Sequence, residues 1–137
     1  MAERTTIAKI YGDLVNGING IVEPKYIFLG GRPDIKDVDS ETMKKFIVIE
    51  LPTNIEDIAV GNHKFHLTTE GVMYLISEAK KNRTFNINSI SDFTEEVSSR
   101  FPICGDYIAA ANPSVLLRGI DEYGYQIVTI TFDIHTK

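Results

Sequence analysis

The stretch that decides the fold is VLLRGIDEYGYQIVTITFDIHT, residues 115–136. From Ile127 onward its apolar and polar residues alternate strictly, which predicts a β-strand with one buried and one solvent-facing side. The apolar set is Val128, Ile130, Phe132 and Ile134, and the polar set is Thr129, Thr131, Asp133 and His135. We therefore expect the apolar set to be buried and Thr129, Thr131 and Asp133 to be more exposed, since a slip of one residue would exchange the two sets.

A second apolar run, residues 115–120, precedes this strand, and the connection between them is Asp-Glu-Tyr-Gly, residues 121–124. A polar connection of three to five residues that contains glycine is typical of a β-hairpin. The sequence therefore predicts a long C-terminal hairpin with Tyr123 and Tyr125 exposed at its tip. Such tyrosines either cover the end of the core or act as contact anchors, and the sequence leaves both readings open.

Composition indicates one globular domain over residues 1–137, because 43% of the residues are hydrophobic and 24% are charged. The net charge of -5 argues against DNA as a tightly held ligand. A single cysteine cannot form an internal disulfide, and no apolar run is long enough to span a bilayer or to form a signal peptide. We expect a protein without a membrane partner, made in the cytoplasm and kept there or inside an assembly.

The rest of the chain predicts two helices and several strands. An apolar stripe of helical period covers residues 5–18, with Thr5 or Thr6 as N-cap, and a second covers residues 86–100, with Asn88 or Ser89 as N-cap. Strands are predicted at residues 26–29, 46–49, 58–67 and 72–79, with a turn at residues 68–71. Residues 72–79 also fit a helical stripe, but we favour a strand. The predicted class is α+β: an antiparallel sheet of about five or six strands, an N-terminal and a central helix packed on it, and a long C-terminal hairpin.

A long polar loop, RPDIKDVDSETMKK, is predicted at residues 32–45. Loops of this length in a small domain are more often functional or ordered by a partner than idle. Its carboxylates do not form an EF-hand, because counting from Asp37 places Thr42 and Val48 where glycine and glutamate are required. We expect a subunit interface that contains Arg32, Asp34, Asp37, Asp39, Glu41, Tyr123 and Tyr125.

Candidate chemical groups are few. Cys104 together with Asp106 and His63, His66 or His135 could form a thiol nucleophile site, but a lone cysteine is more often a small buried hydrophobe. His63 and His66 lie on a predicted strand, where residues three apart point to opposite faces, so surface histidines are favoured over metal ligands. The glycines before Arg32 predict a turn rather than a phosphate loop. We expect no enzymatic activity, no cofactor and no metal.

Three segments in this order carry a resemblance: the N-terminal stripe IAKIYGDLVNGI, the strand VMYLISEA running into the helix SISDFTEEVSSRF, and the closing GIDEYGYQIVTITFDIH. The pattern, which spans most of the chain, resembles the tail-terminator and head-to-tail joining proteins of tailed bacteriophages. The loop at residues 32–45 is longer than the short loop usual in that family.

The resemblance implies a structural virion protein, assembled in the host cytoplasm, that forms a homo-oligomeric ring at the head–tail junction. Its neighbours would be portal, connector or tail proteins, and DNA would pass through the lumen without tight binding. An acidic lumen would suit this passage. The alternative is a small-ligand-binding α+β module with a pocket between sheet and helix.

Overall fold

The computed structural model describes residues 7–32, 43–51, 59–60, 63–64 and 68–136. The helices are α1 (Ile7–Gly17) and α2 (Ile87–Ser98), with a short 3-10 turn at Pro24–Tyr26. The strands are β1 (Ile27–Leu29), β2 (Lys45–Glu50), β3 (Ala59–Val60), β4 (His63–Lys64), β5 (Thr68–Glu78), β6 (Ile103–Cys104), β7 (Ile108–Ile120) and β8 (Tyr125–Thr136). This confirms the α+β class, the two helices and the C-terminal hairpin.

Six strands form one sheet in the order β1-β2-β5-β8-β7-β6, and β3 pairs with β4 separately. All neighbours in the large sheet are antiparallel except β1 and β2, which are parallel. The sheet is therefore mixed, with its parallel pair at one edge. Its other edge is formed by β6 and by the part of β7 that extends beyond β6.

Both helices pack on the same face of this sheet and bury part of the predicted stripes, although Ile7 at the start of α1 is 54% exposed. Ile10 and Leu14 of α1 and Phe93 and Val97 of α2 are buried there against alternate residues of the strands. The N-cap of α2 is Asn86, whose side-chain oxygen accepts a hydrogen bond from the Ser89 N–H at 3.2 Å. The prediction of Asn88 or Ser89 as the cap is wrong, because the polar run continues two residues into the helix.

The structure confirms six of the seven predictions of burial or exposure in β8 and contradicts the one for Thr129. Val128, Ile130, Phe132 and Ile134 are buried, Thr131 is exposed and Asp133 is intermediate; the structure also places His135 on the exposed side. Thr129 is only 3% exposed, so its predicted exposure is wrong. It is flanked on its own face by Tyr74 of β5 and Leu116 of β7, and its hydroxyl donates to the Leu116 carbonyl oxygen at 3.4 Å.

Residues 68–71 belong to β5 and do not form the predicted turn. Gly71 pairs with Phe132 inside the ladder, and a Cβ at Gly71 would lie 2.6 Å from two atoms of the Phe132 ring. Glycine is needed there because the aromatic ring occupies the space above it, which is the close approach that glycine permits within a strand. The choice of strand over helix for residues 72–79 is confirmed up to Glu78.

The first strand of the hairpin begins at Ile108 and continues through Pro113, seven residues earlier than the run that begins at Val115 suggests. Proline is tolerated because no described strand pairs with the outer side of β7 there, and the register shifts between Ala111 and Ser114. Asn112 adopts a positive φ of 58° at this irregularity. A proline in the sequence thus marks a bulge in an edge strand.

Several predictions fall outside the described residues: the caps Thr5 and Thr6, the carboxylates Asp34, Asp37, Asp39 and Glu41, and His66. Neither of the two helices in the described part of the chain is long and apolar enough to cross a membrane.

Candidate interaction surface

The turn between β7 and β8 is organised by the side chain of Asp121. One carboxylate oxygen accepts hydrogen bonds from the N–H groups of Tyr123 and Tyr125, each at 2.9 Å. Aspartate stabilises turns by bonding to the backbone two residues further on, and here it also reaches the first residue of β8. Gly124 supplies the positive φ of 85° that closes the turn.

Arg32 lies against this turn. Its guanidinium donates to the other carboxylate oxygen of Asp121 and forms an ion pair with it. It also lies 5.9 Å from the ring centroids of Phe46 and Tyr125 and 6.0 Å from that of Tyr123. An arginine at this distance from aromatic faces is attracted by their electrons, so Arg32 links the chain before residue 33 to the hairpin.

Tyr125 is 3% exposed, and the prediction that it is exposed at the tip is wrong. Its hydroxyl donates to the Met43 carbonyl oxygen at 2.9 Å, and its ring meets the Phe46 ring edge-on at 5.5 Å. Burial, followed by the carboxylates of Glu78 and Asp121, raises the pKa of Tyr125 above its ordinary value. Tyr123, in contrast, is 49% exposed.

The reason for this burial is a second apolar cluster on the face of the sheet opposite the helices. Its buried members are Met43, Phe46, Val48, Ile76 and Tyr125, with Tyr26, Phe28, Tyr74 and Ile127 packed around them. Alternation of β8 alone predicts a wet second face, whereas at this end of the sheet both faces are covered.

The predicted loop is held at both of its described ends by the hairpin. Arg32 contacts Asp121, and Met43 is 1% exposed and accepts from Tyr125. The loop also ends earlier than predicted, because β2 begins at Lys45. The structure therefore brings Arg32 and Tyr123 of the predicted interface onto one surface, which we call the tip surface: Arg32, Asp121, Glu122 and Tyr123.

Sequence reasoning missed a second surface, the outer edge of β7. Three consecutive residues there are exposed although apolar: Val115 at 49%, Leu116 at 54% and Leu117 at 45%. In the described part of the chain β6 pairs only with Ala109 and Ala110, so no described strand covers this stretch. The signal was present in the sequence, because three apolar residues in a row cannot all face one side of a strand.

Cys104, the candidate nucleophile, lies on the short strand β6. Cys104 is exposed, which contradicts the predicted burial. Ile103 of the same short strand faces the core, so its neighbour faces outward. The row of Cys104 runs through Ala109 to His135, which places a whole strand between the cysteine and that histidine.

Other polar groups of the described residues have structural roles or lie at the surface. Asp13 of α1 is buried and accepts from the N–H groups of Tyr107 and Ile108 at 2.8 and 3.1 Å, which fixes the start of β7 against the helix. A surface depression on α2 is lined by Asp92, Glu95, Glu96 and Ser99. Within the described ranges, no three His, Cys, Asp or Glu residues are grouped so that they could hold a metal ion.

No protein-family model matches the chain, and no curated protein matches it either. Among solved structures, a protein whose name states no function is similar to this chain with a TM-score of 0.57. The alignment covers 95% of this chain and 92% of that chain at 11% sequence identity. A likeness at this identity shows the fold alone.

Proposed function

We propose that this chain is a structural virion protein, one subunit of a homo-oligomeric ring at the head–tail junction of a tailed bacteriophage. The observation that carries the proposal is the exposed apolar edge of β7, with Val115, Leu116 and Leu117 each about half exposed. Proteins that remain monomeric protect long edge strands with charges, bulges or covering segments, because unpaired backbone and apolar side chains attract other chains. Register shifts lie on both sides of residues 115–117, but these three residues carry no charge and no described segment covers them, which favours an assembly.

The tip surface supports the same reading. Tyr123 is half exposed beside the Arg32–Asp121 pair, and tyrosine and arginine are the residues that most often dominate the energy of protein interfaces. The fold of an N-terminal helix, a central helix and a closing hairpin agrees with what the resemblance implies. The ring would adjoin portal, connector or tail proteins, and DNA would pass through it without tight binding, as the net charge of -5 suggests.

The alternative, a ligand-binding module, requires space between the sheet and the helices. That region contains the larger apolar core, including Ile10, Leu14, Phe93 and Phe132, none of which is more than 3% exposed. This filling of the interior favours a structural role over ligand binding.

The direct test is the mass of the native particle. We expect native mass spectrometry and negative-stain electron microscopy of the purified full chain to show a closed ring with one subunit number. A monomer at all concentrations up to those at which phage proteins assemble would overturn the proposal.

A second test removes the predicted loop. Replacing residues 34–42 by a short glycine-containing turn should leave a folded chain that fails to assemble, because the carboxylates of the loop are proposed to meet basic groups of the next subunit. Circular dichroism reports on folding and native mass on assembly. Formation of the same particle by this variant would remove the loop from the interface.

A further inference from the structure

The two edges of the six-stranded sheet match each other row by row. We propose that β7 of one copy pairs with β1 of the next, so that a continuous sheet joins neighbouring subunits. This inference rests on the ring proposed above and names the contact that closes it.

The match is seen by following the residue pairs across the sheet. Each of the three residues of β1 starts a row of paired residues that ends on β7 at one of the three exposed apolar residues. The rows are Ile27–Ile47–Leu75–Val128–Leu117, Phe28–Val48–Tyr74–Thr129–Leu116 and Leu29–Ile49–Met73–Ile130–Val115.

The directions of β1 and β7 also allow the two strands to pair. β1 is parallel to β2, and both are parallel to β8, because β5 is antiparallel to β2 and to β8. β7 is antiparallel to β8 and is therefore also antiparallel to β1. Strands of a sheet twist relative to one another, so the rotation that relates neighbouring copies has to bring β7 of the next copy into line with β1. A neighbour placed in this way brings its β7 antiparallel to β1, with Leu116 opposite Phe28 and both side chains on the face away from the helices.

The backbone of β1 presents hydrogen-bonding groups on the required side. The Gly30 N–H donates to the Ile49 carbonyl oxygen at 2.8 Å, so the strand directs this residue toward β2. Alternate residues of a strand point their N–H and C=O groups to opposite sides. Ile27 and Leu29 therefore direct theirs outward, away from β2.

The same alternation applies at the other edge. The Asp121 N–H donates to the Tyr125 carbonyl oxygen at 2.8 Å, so the backbone groups of Tyr125 point toward β7. The same holds for Ile127 and Thr129, which lie two and four residues further along β8. Leu116, the partner of Thr129, points back toward β8. Val115 and Leu117 then point outward, opposite Leu29 and Ile27 of the next copy.

The side chains of the two edges are compatible. None of the six residues is charged, so no like charges oppose one another and no charge has to be buried. Leu29 and Val115 are 51% and 49% exposed, and they would cover each other on the helix-bearing face. On the other face Leu116 would extend the apolar cluster that already contains Phe28.

The proposed ladder between β7 and β1 is short, which favours a ring of subunits over an isolated pair of subunits. A stable interface buries about 800 Å² on each partner, which a three-residue ladder does not reach. The ladder must act together with further contacts between the same two copies, and every copy must use both of its edges. A closed ring satisfies this because each edge then has a partner.

Cysteine cross-linking tests the pairing in the full chain with Cys104→Ser as background. Leu29→Cys combined with Val115→Cys places thiols on a hydrogen-bonded antiparallel pair, where Cα atoms lie about 5.5 Å apart, within the range of a disulfide. We expect mild oxidation to produce a covalent ladder that ends at the subunit number found by native mass. Each single variant should give none, and mixing the two should give a covalent dimer.

The matched control is Ile87→Cys combined with Val115→Cys. Ile87 is 61% exposed on α2, so it offers a thiol of similar accessibility away from the edge, and no ladder is expected. In parallel, Leu116→Lys should prevent ring formation, whereas Ile87→Lys should leave it intact.

The outcomes separate the two proposals. A ring that forms no ladder with the Leu29 and Val115 cysteines and that survives Leu116→Lys would overturn the β7–β1 pairing and leave the ring standing. A covalent dimer from Leu116→Cys alone would show two copies of β7 pairing with each other and would also overturn it. Monomers at every concentration would overturn both.

Discussion

The two strands of the C-terminal hairpin, β7 and β8, are 13 and 12 residues long but differ sharply in burial. The central strand β8 lies between β5 and β7, whereas β7 pairs with described strands on only one side over most of its length. Thr129 of β8 is 3% exposed, while Leu116, paired with it on β7, is 54% exposed. Position within the sheet decides burial here more strongly than side-chain polarity does.

The largest expected difference between the strands concerns Phe132 of β8. Phe132→Ala should lower the free energy of unfolding by about 3–5 kcal/mol, because the ring is 2% exposed and its removal leaves a cavity beside Phe101, whose ring lies 5.1 Å away. Urea denaturation monitored by circular dichroism gives this value.

The matched change on β7 is Leu116→Ala. Measured at concentrations at which subunits are dissociated, it should change the free energy of unfolding by no more than about 0.5 kcal/mol, since the side chain is half exposed. Equal losses from Phe132→Ala and Leu116→Ala would remove the contrast between the strands.

Gly71→Ala probes how closely β5 and β8 approach. The added methyl group would lie 2.6 Å from Phe132 ring atoms and 2.9 Å from the Ile134 side chain, so we expect a loss of about 1–3 kcal/mol through overpacking. The double variant with Phe132→Leu should lose less than the sum of the two single changes, because the smaller side chain relieves the contact. Strict additivity would show that the ring does not cause the cost.

Tyr125→Phe tests the covered end of β8, where we expect a smaller loss than at Phe132. At neutral pH the loss of the bond to the Met43 carbonyl should cost about 1 kcal/mol. Because burial raises the pKa of Tyr125, the folded state holds this proton more tightly than the unfolded state, whose pKa is about 10. The resulting stability is present below about pH 10 and is lost as the pH rises through the folded-state pKa.

We therefore expect the wild-type free energy of unfolding to fall above about pH 10 and to fall less steeply in Tyr125→Phe. Some decline persists because burial, helped by Glu50, raises the pKa of Tyr74 in the same direction. Urea titrations at a series of pH values measure both slopes. Identical slopes would mean that Tyr125 titrates alike in the folded and unfolded chains.

Local periodicity was sufficient to predict the elements whose burial depends on one face. Phe93 and Val97 of α2 and the even-numbered residues of β8 are buried as the pattern indicates, with Phe93 at 3% and Phe132 at 2% exposure. When a helix or strand buries only one face, its apolar residues recur in the sequence with the period of that element.

The errors arose where distant residues decide the environment. Gly71 looks like a turn residue until the Phe132 ring is placed above it, and Tyr125 looks like an exposed tip residue until Phe46 and Met43 cover it. These partners are separated by dozens of residues in the chain, so a local window does not contain them. The tip surface and the edge match likewise depend on sheet order, which periodicity does not encode.

The attachment of Arg32 and Met43 to the same hairpin has a consequence for variation in the chain. With both ends fixed, the free-energy cost of closing the intervening segment depends only weakly on its length, and each doubling adds about 0.6 kcal/mol. Residues 33–42 are thus a position where segments of other lengths and sequences can be grafted with little change in the stability of the domain. The segment inserted at this point could therefore differ in length and sequence while the sheet and helices stay the same.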